Sequence, residues 1–309
     1  MSTGVSSSSA APALVAAGPG VRDYIELLKP RVMSLVVFSG LVGLVVAPGH
    51  MHPLLAFVTI LCIALSAGGC GAVNMWYDRD IDAVMNRTRA RPLPQGRIEP
   101  ETARDFGGAL IFAAVMLMWL AVNALAAALL AAAAAFYIFV YTVWLKRRTP
   151  QNIVIGGAAG AFPPVIAWAA ATGHVALPAV ILFLIIFFWT PPHFWALALY
   201  RNDDYRRAGV PMMPVVKGER RTKIEMLIYT LILFPLSLAP YWAGIGGKVY
   251  LAGAALLSGF FIVCASRVLR DKTHKAAKQM FGYSILYLFL LLSLLLAAHM
   301  AQPFLGILL

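Results

Sequence analysis

The segment Asn74-Met-Trp-Tyr-Asp78-Arg-Asp80-Ile-Asp82 lies at the end of a long apolar run. If it continues that run as a helix, Asn74, Asp78 and Asp82 recur every four residues and share one face, roughly 6 Å apart along the axis. Such a stripe of oxygens cannot pack against lipid. It suits Mg²⁺, which prefers one or two carboxylates together with water and the oxygens of a bound phosphate. The spacing favours a metal–diphosphate site over the alternative, a solvated acidic turn beside basic residues.

The composition predicts a membrane protein. The chain has 309 residues, of which 61% are hydrophobic and only 12% are charged, a balance typical of an all-α polytopic membrane protein. Nine apolar segments are long enough to span a bilayer: 28–47, 53–73, 105–122, 124–145, 152–172, 176–199, 224–244, 248–267 and 279–301. The third and fourth are separated only around Asn123, which predicts a tight hairpin.

The basic residues are distributed unevenly between these spans. Of the 25 Lys and Arg residues, all but Lys248 fall on one side of the predicted membrane. The positive-inside rule then places the amino terminus in the cytoplasm and the carboxyl terminus outside. The same rule accounts for most of the net charge of +12, so we expect no nucleic-acid partner.

The location of the ionisable residues favours an enzyme over a transporter. An ion-coupled transporter keeps such residues near the bilayer midplane, whereas here they lie at the cytosolic ends of the spans. We expect a substrate with a polar end at the cytosolic surface and an apolar end inside the helix bundle.

The ends of the chain bear on its domains and its location. Residues 1–20 are rich in Ser, Ala and Gly and carry no charged side chain, unlike a signal or transit peptide. We predict a disordered tail at 1–20, a single domain at 21–309, and a bacterial inner membrane as the site. The three cysteines lie in apolar segments without paired spacing, which indicates no disulfide framework.

A second acidic loop follows the sixth span, as the first follows the second span, and contains the adjacent residues Asp203 and Asp204. Two such loops facing each other could clamp a diphosphate through metal ions that act as Lewis acids on the leaving group. The alternative for this loop is a charged connector. Lys146 and Arg147 lie between the two loops in sequence and could meet the same anion, or they could simply anchor a helix at the membrane surface.

Two proline pairs, Pro163-Pro164 and Pro191-Pro192, fall within the fifth and sixth spans. Each pair is expected to kink its helix and free backbone carbonyls, which is tolerated only where the carbonyls find other partners or line a cavity. His193 follows the second pair. Its ring could satisfy a carbonyl that the prolines free, or it could face a cavity and bind a substrate.

Several longer motifs support a family assignment. They are Leu28-Lys-Pro-Arg31, Asn74-x-x-x-Asp78-x-x-x-Asp82, Asn86-Arg-Thr-Arg-x-Arg-Pro-Leu-Pro94, Tyr141 to Asn152, Gly160-Ala-Phe-Pro-Pro164, Pro191-Pro-His-Phe-Trp-Ala-Leu-Ala198 and Asp204-Tyr-x-x-Ala-Gly-x-Pro-Met-x-Pro-Val-Val-Lys217. From about residue 22 onward the chain resembles the UbiA superfamily of intramembrane prenyltransferases, and the last two motifs resemble its haem-directed branch. Two positions depart from relatives: Met75 replaces a frequent Asp, and the second loop lacks the Asp-x-x-x-Asp spacing, so that Asp204 is the preferred ligand there.

The resemblance implies nine helices around a central cavity and transfer of farnesyl from farnesyl diphosphate to a vinyl group of haem b, with addition of water, to give haem O. The product would serve a terminal oxidase directly or through a haem A synthase, and either is a candidate partner. The resemblance also implies roles for individual residues. The implied ligands of Mg²⁺ are Asn74, Asp78, Asp82 and Asp204, and the implied catalytic residues are Asp78, Asp82, Asp204 and Lys146. The residues implied to bind the substrates are Asn74, Arg31, Arg87, Arg91, Tyr141, Arg147, His193, Asp203 and Lys217.

If His193 faces a cavity, the resemblance implies that its ring binds either the haem iron or a haem propionate. Two other functions stay open at this point. One is prenyl transfer to a quinone precursor or other aromatic acceptor, against which the haem-type motifs argue. The other is a non-enzymatic haem transporter or assembly factor, which would need neither Mg²⁺ nor the Asp residues.

Overall fold

The computed structural model describes residues 18–305, so most of the predicted disordered tail lies outside the described residues. The described chain is helical and contains no strand. Its α-helices, α1 to α14, are Val21–Leu27, Pro30–Val45, Pro53–Tyr77, Arg79–Val84, Pro100–Ala121, Ala124–Ala135, Asn152–Ala161, Pro163–Thr172, Leu177–Tyr200, Asn202–Arg207, Met213–Lys217, Glu219–Trp242, Lys248–Arg270 and Lys275–Leu305. A π-helix, Phe136–Leu145, follows α6 directly.

Within 18–305, eight helices are long and apolar enough to cross a membrane, and the bent pair α1–α2 brings the number to nine if it is one span. The chain is therefore a multi-span membrane protein, in agreement with the prediction. The predicted break at Asn123 is also confirmed. The Asn123 side chain caps α6 by accepting a hydrogen bond from the Ala126 amide (2.8 Å) and donates to the carbonyl of Ala169 (3.0 Å), so it joins the start of α6 to the end of α8.

The first span differs from the continuous helix predicted for residues 28–47. Helices α1 and α2 meet at an angle of 56°, and Lys29 between them adopts a left-handed conformation with φ of 52°. Pro30 then occupies the first turn of α2, where the lack of an N–H costs nothing. The Lys29 side chain therefore leaves the backbone in a different direction from the one it would have on a straight helix.

The first acidic segment also departs from an unbroken helix. Helix α3 ends at Tyr77 and α4 begins at Arg79, with Asp78 between them at φ of −95° and ψ of 11°. Two backbone hydrogen bonds nevertheless continue the helical pattern, from the Asp78 amide to Asn74 (3.0 Å) and from the Asp82 amide to Asp78 (2.8 Å). The four-residue spacing therefore still places the three side chains on one side.

The helices form a closed bundle in which α14 contacts both α9 and α2, so the last span packs beside the first. In lipid, such packing depends on close contact between helices rather than on a hydrophobic effect. Helices α3 and α5 cross at Gly69 and Gly107, where a methyl group on Gly107 would lie 2.7 Å from the carbonyl oxygen of Gly69. Only glycine permits this approach of the two backbones.

The proline pairs behave differently from each other. Pro163 begins α8 after a break at Phe162, whereas Pro191 and Pro192 lie inside the continuous helix α9. Helix α2 packs closely against the first pair, because a methyl group at Gly43 would lie 2.5 Å from the backbone of Pro164. The fifth span is thus broken at its prolines, while the sixth continues through them.

The α3–α5 contact can be tested with neighbouring glycines. Gly107→Ala should lower the thermal unfolding midpoint of the purified protein, because the added methyl group would collide with the Gly69 carbonyl and force the helices apart, at a cost of about 1–3 kcal/mol. Gly108→Ala is the matched control, since a methyl group there meets nothing within 4 Å and alanine favours the helix. Equal midpoints for the two variants would contradict the close crossing.

Candidate functional site

Asn74 lies at the centre of a buried polar cluster. Its amide nitrogen donates to Asp78 Oδ2 (2.8 Å) and to Thr142 Oγ1 (3.1 Å), and its oxygen accepts from Lys29 Nζ (2.7 Å). These partners come from the π-helix and from the turn before α2 as well as from α3 itself. The cluster thus ties together three separate parts of the chain at one end of the bundle, which we call the acidic face.

Asp78 is the most enclosed carboxylate of the cluster, with only 1% of its surface exposed. Lys146 forms an ion pair with its Oδ2, and Arg147 approaches its Oδ1 at 3.6 Å. Burial disfavours the charged form of Lys146, but Asp78 more than offsets this and raises the pKa of the lysine. Lys146 therefore stays charged at neutral pH. Oδ1 of Asp78 accepts no hydrogen bond from any described residue.

Arg147 also binds the exposed carboxylate of Asp80 with two hydrogen bonds, at 2.7 and 2.8 Å. This bidentate contact lowers the pKa of Asp80. Asp80 therefore fixes the orientation of Arg147 from the outside of the cluster, while the same guanidinium lies close to Asp78 on the inside. The arrangement holds a planar, phosphate-matching donor at the edge of the site.

Asp82 continues the stripe and is also buried. Arg91 pairs with its Oδ2 at 2.7 Å. The turn between them is closed by Thr88, whose hydroxyl donates to the backbone carbonyl of Asp82 (2.9 Å). The loop after α4 thus folds back so that its arginine meets the carboxylate that precedes it.

The π-helix determines where its polar residues lie. A hydrogen bond from the Lys146 amide to the Tyr141 carbonyl (2.9 Å) closes one of its wide turns. The Tyr141 ring fills the space left by Gly156, where a methyl group would lie 2.2 Å from ring carbon Cδ2. Tyr141 therefore packs on α7, while Thr142 and Lys146 reach the Asn74–Asp78 pair.

The second acidic loop meets the first at the acidic face. The guanidinium of Arg87 lies 5.3 Å from the centre of the Tyr205 ring, within the range of a cation–π contact. Below this contact, apolar side chains from both loops form one buried cluster: Ile81, Met85, Ile153, Ala198, Tyr205, Val210 and Met212. The loops are therefore packed against each other, as the sequence predicted.

The two aspartates of the second loop differ in environment. Asp203 is exposed, whereas Asp204 is only 4% exposed and pairs with Arg207 through Oδ1. The other oxygen of Asp204, Oδ2, is buried and accepts no hydrogen bond from the described chain. The preference for Asp204 over Asp203 as a ligand thus agrees with their burial.

The donor set fits a divalent cation that is held jointly with an anion. Buried carboxylate oxygens without a hydrogen-bond donor are costly, and Asp78 and Asp204 each present one. Within residues 18–305, no three His, Cys, Asp or Glu side chains converge into a complete metal cage. Mg²⁺ takes one or two carboxylates and completes its shell with water and phosphate oxygens, and the free oxygens of Asp78 and Asp204 are the carboxylate ligands that this site offers.

His193 lies deeper in the bundle and is buried. Its ring is stacked between Trp189 and Phe281, with centroids at 4.4 and 4.7 Å, and its Nδ1 is 2.6 Å from Ser284 Oγ. Ser284 already donates to the Phe281 carbonyl, so Nδ1 carries the hydrogen and Nε2 keeps a free lone pair. Of the two alternatives considered for His193, a hydrogen bond to a carbonyl freed by the prolines is not observed for Nδ1, whose partner Ser284 lies on α14.

Two residues of the predicted site do not join the cluster. Arg31 and Lys217 are exposed and form no ion pair with another described residue. In the Leu28-Lys-Pro-Arg31 motif it is instead Lys29 that reaches Asn74, because of the left-handed turn before Pro30. Lys29 and Thr142 were therefore missed as site residues. For Lys29 the available signal was the following proline, which marks a helix start, and for Thr142 it was a polar residue within an apolar run.

The chain has clear relatives of known name. Residues 36–294 match the sequence model of the UbiA prenyltransferase family. The chain is 59% identical to the protoheme IX farnesyltransferase of Acidiphilium cryptum over 92% of both chains. Among solved structures, it is similar to a digeranylgeranylglyceryl phosphate synthase (TM-score 0.76, 19% identity, 90% of this chain and 98% of that one). It is also similar to a UbiA homologue from Archaeoglobus fulgidus bound to GPP and Mg²⁺ (TM-score 0.62, 16% identity, 88% and 99%).

The central role of Asn74 predicts a loss of stability when its amide is removed. Asn74→Ala should lower the free energy of unfolding by about 1–3 kcal/mol, because the buried Asp78 and Thr142 and the half-buried Lys29 would each lose a partner. The measurement is the thermal unfolding midpoint in detergent. Asn86→Ala, at an exposed position with no side-chain hydrogen bond to the described chain, should leave the midpoint unchanged.

Proposed function

The chain belongs to the UbiA prenyltransferase family, and from this membership we propose that it transfers the farnesyl group of farnesyl diphosphate to a vinyl group of haem b. Its high-identity relatives are named protoheme IX farnesyltransferase. The product, after addition of water, is haem O, and diphosphate is released. The enzyme is thus a transferase of haem biosynthesis.

One observation carries the proposal at the level of residues. The acidic face holds two buried carboxylates, Asp78 and Asp204, each with one oxygen that lacks a hydrogen-bond donor. Cations from three parts of the chain surround them, as expected for a site that receives both a metal ion and a diphosphate. A haem transporter could use the cations to bind the haem propionates, but it would not need buried carboxylates that hold a metal ion.

Mg²⁺, bound through Asn74, Asp78, Asp82 and Asp204, would act as a Lewis acid on the diphosphate leaving group. The protein's own cations would share this task. Lys29, Arg91, Lys146 and Arg147 lie against the acidic residues, and a diphosphate entering the cluster would draw them toward its oxygens. Arg87, at the junction of the two loops, is sited to close over the same anion. Arg31, Asp203 and Lys217 would act only at the rim of the site.

The reaction forms one carbon–carbon bond and breaks one carbon–oxygen bond. The C–O bond between farnesyl C1 and the diphosphate breaks, and the terminal carbon of the haem vinyl group bonds to C1. The positive charge left on the inner vinyl carbon takes up water, which loses a proton, and this gives the hydroxyethylfarnesyl side chain. The apolar bundle below the acidic face would keep water from the allylic cation until the C–C bond has formed. Tyr141 would line the entrance to this central cavity.

His193 is our candidate for contact with the acceptor. Its neutral imidazole has a free Nε2 lone pair and is held by two aromatic rings, and neutral imidazole is a common ligand of haem iron. Phe194, the next residue, packs on the apolar cluster that joins the two acidic loops, so His193 lies directly below the diphosphate site. Haem O would then pass to a terminal oxidase or to an enzyme that converts it to haem A.

The location proposed for the protein follows from its charge distribution. We place it in the inner membrane of a bacterium, with the acidic face and the amino terminus in the cytoplasm and the carboxyl terminus outside. This orientation gives the acidic face access to cytosolic farnesyl diphosphate. It rests on the positive-inside rule and on the bacterial sources of the relatives.

The first test compares neighbouring aspartates. Asp78→Asn, Asp82→Asn and Asp204→Asn should each lower turnover of haem b and farnesyl diphosphate by at least about 10²-fold, since each removes charge that stabilises the leaving diphosphate. Asp203→Asn removes the same charge one residue away from Asp204 but at an exposed position at the rim of the site, so it should lose far less activity than Asp204→Asn. Formation of haem O is followed by mass spectrometry.

Two results would contradict the proposal. Wild-type turnover in Asp78→Asn at limiting Mg²⁺ would remove the metal–diphosphate clamp. Prenylation of a quinone precursor such as 4-hydroxybenzoate in preference to haem b would replace the acceptor and leave the clamp intact.

The second test separates the two roles considered for His193. If it binds the acceptor, His193→Ala should weaken haem binding and shift the Soret band, while binding of farnesyl diphosphate stays the same. His174→Ala, at an exposed position between α8 and α9, is the control and should behave like the unmodified protein. An unshifted Soret band with unchanged haem affinity, together with a lowered unfolding midpoint, would assign His193 to packing alone.

The third test concerns orientation. In a chain whose buried cysteines Cys62, Cys70 and Cys264 are replaced by alanine, single cysteines are introduced at exposed positions. Gln95→Cys and Lys217→Cys should react with a membrane-impermeant maleimide only from the cytoplasm, and His50→Cys and His174→Cys only from outside. Labelling of position 95 from outside in intact cells would reverse the topology.

A further inference from the structure

A second basic site lies on the acidic face but away from the carboxylate cluster. It is a cavity of about 420 Å³ between the end of α13 and the beginning of α14, lined by Arg267, Arg270 and Lys275 among others. Its level relative to the acidic loops is fixed by contacts with the start of α12. Lys223 donates to the Asp271 carbonyl (2.7 Å), and Glu219 pairs with His274 (2.9 Å). The cavity therefore opens at the same membrane surface as the proposed active site.

The charge of this cavity is not balanced by the protein. Arg270 and Lys275 form no ion pair with another described residue, and Arg267 has only a long contact of 3.5 Å to Gln279. Asp271 is the single acidic residue of the lining, and its carboxylate is already engaged. It accepts hydrogen bonds from the Thr273 amide (2.7 Å), the Thr273 hydroxyl (2.7 Å) and the Ala276 amide (2.6 Å). The lining thus carries three cations and one carboxylate, which leaves an excess of two positive charges.

The loop is also built rigidly around the cavity. The backbone amides of Thr273 and Ala276, with the Thr273 hydroxyl, lower the pKa of Asp271 to about 2, so this carboxylate stays charged and keeps capping α14. His274 is held in a left-handed conformation with φ of 60° by the same tight connection. The cations on either side are therefore presented by two helix ends at a fixed separation.

An exposed apolar stripe leads from the cavity into the membrane. Val263, Phe260 and Leu256 lie four, seven and eleven residues before Arg267, on the same face of α13. They are 51%, 50% and 75% exposed. A soluble anion would use only the cations, whereas a molecule with a charged head and an apolar chain would use the cations and the stripe together.

We propose that this cavity binds the phosphate headgroup of an anionic phospholipid, with Arg267, Arg270 and Lys275 around the phosphate and an acyl chain along the stripe of α13. Basic pockets between membrane helices at the cytoplasmic surface are suited to such headgroups. The site is separate from the prenyl-transfer site and does not depend on that function. A bound lipid would hold the α13–α14 connection at the membrane surface. It would also hold the start of α12 there, because Lys223 of α12 donates to the Asp271 carbonyl.

The test uses the full-length protein, delipidated in a non-ionic detergent, with native mass spectrometry to measure lipid binding. Phosphatidylglycerol should bind more tightly than phosphatidylcholine of the same chain length. Arg270→Gln with Lys275→Gln should weaken phosphatidylglycerol binding by about fivefold for each cation removed, since each contributes about 1 kcal/mol near a membrane surface. Binding of phosphatidylcholine should not change.

The matched control is Lys272→Gln with Lys278→Gln, which removes the same charge from the same region at residues outside the cavity lining. It should keep nearly full affinity for phosphatidylglycerol. An equal loss in both double variants would mean a general charge effect and would overturn the site. Gel filtration and the unfolding midpoint in phosphatidylcholine establish that both variants fold.

A second arm separates lipid from free phosphate. Inorganic phosphate and glycerol 3-phosphate, each at millimolar concentration, should neither displace phosphatidylglycerol nor raise the unfolding midpoint by a comparable amount. If they do both, and the effect is lost in Arg270→Gln with Lys275→Gln, the cavity is a site for soluble anions and the lipid proposal fails. It fails equally if phosphatidylglycerol and phosphatidylcholine bind alike.

Discussion

The site depends on the electrostatic cost of burying carboxylates at the edge of a bilayer. Asp78, Asp82 and Asp204 are almost fully enclosed, and an unpaired charge in such surroundings is far less stable than in water. Each of the three is therefore matched by a cation from a nearby turn or loop: Lys146, Arg91 and Arg207. The left-handed turn at Lys29 and the π-helix before Lys146 are the local departures from regular α-helix that bring these two lysines to the Asn74–Asp78 pair.

This need for neutralisation also explains how the site could take up its substrate. A diphosphate with Mg²⁺ carries both negative and positive charge. The carboxylates could then pair with Mg²⁺ and the basic side chains with the diphosphate, so that no buried charge is left without a partner. Before substrate binds, the ion pairs within the protein neutralise the buried carboxylates and so keep the cluster stable. Removing one partner alone is the damaging change, because the other remains buried.

Much of the fold was predictable because it follows from patterns that are local in sequence. Apolar runs and the one-sided placement of Lys and Arg predicted nine spans, and a single asparagine predicted the hairpin at Asn123. The failures involve conformations or contacts that no local pattern encodes. The left-handed turn at Lys29 exchanged the roles of Lys29 and Arg31, and the partner of His193 lies on α14, 91 residues away. Burial, which only the fold provides, distinguishes Asp204 from its neighbour Asp203.

The contact between His193 and Ser284 has a consequence for the order in which the enzyme is made. The contacts among Asn74, Asp78 and Lys146 can form once the first four spans have entered the membrane, and Asp204 joins this site after the sixth span. The ring that encloses His193 is completed only by α14, which supplies both Ser284 and Phe281. During synthesis on the ribosome, the chain would thus form its diphosphate site before its acceptor site. The acceptor site would therefore be complete only after the last span, α14, has been inserted beside His193.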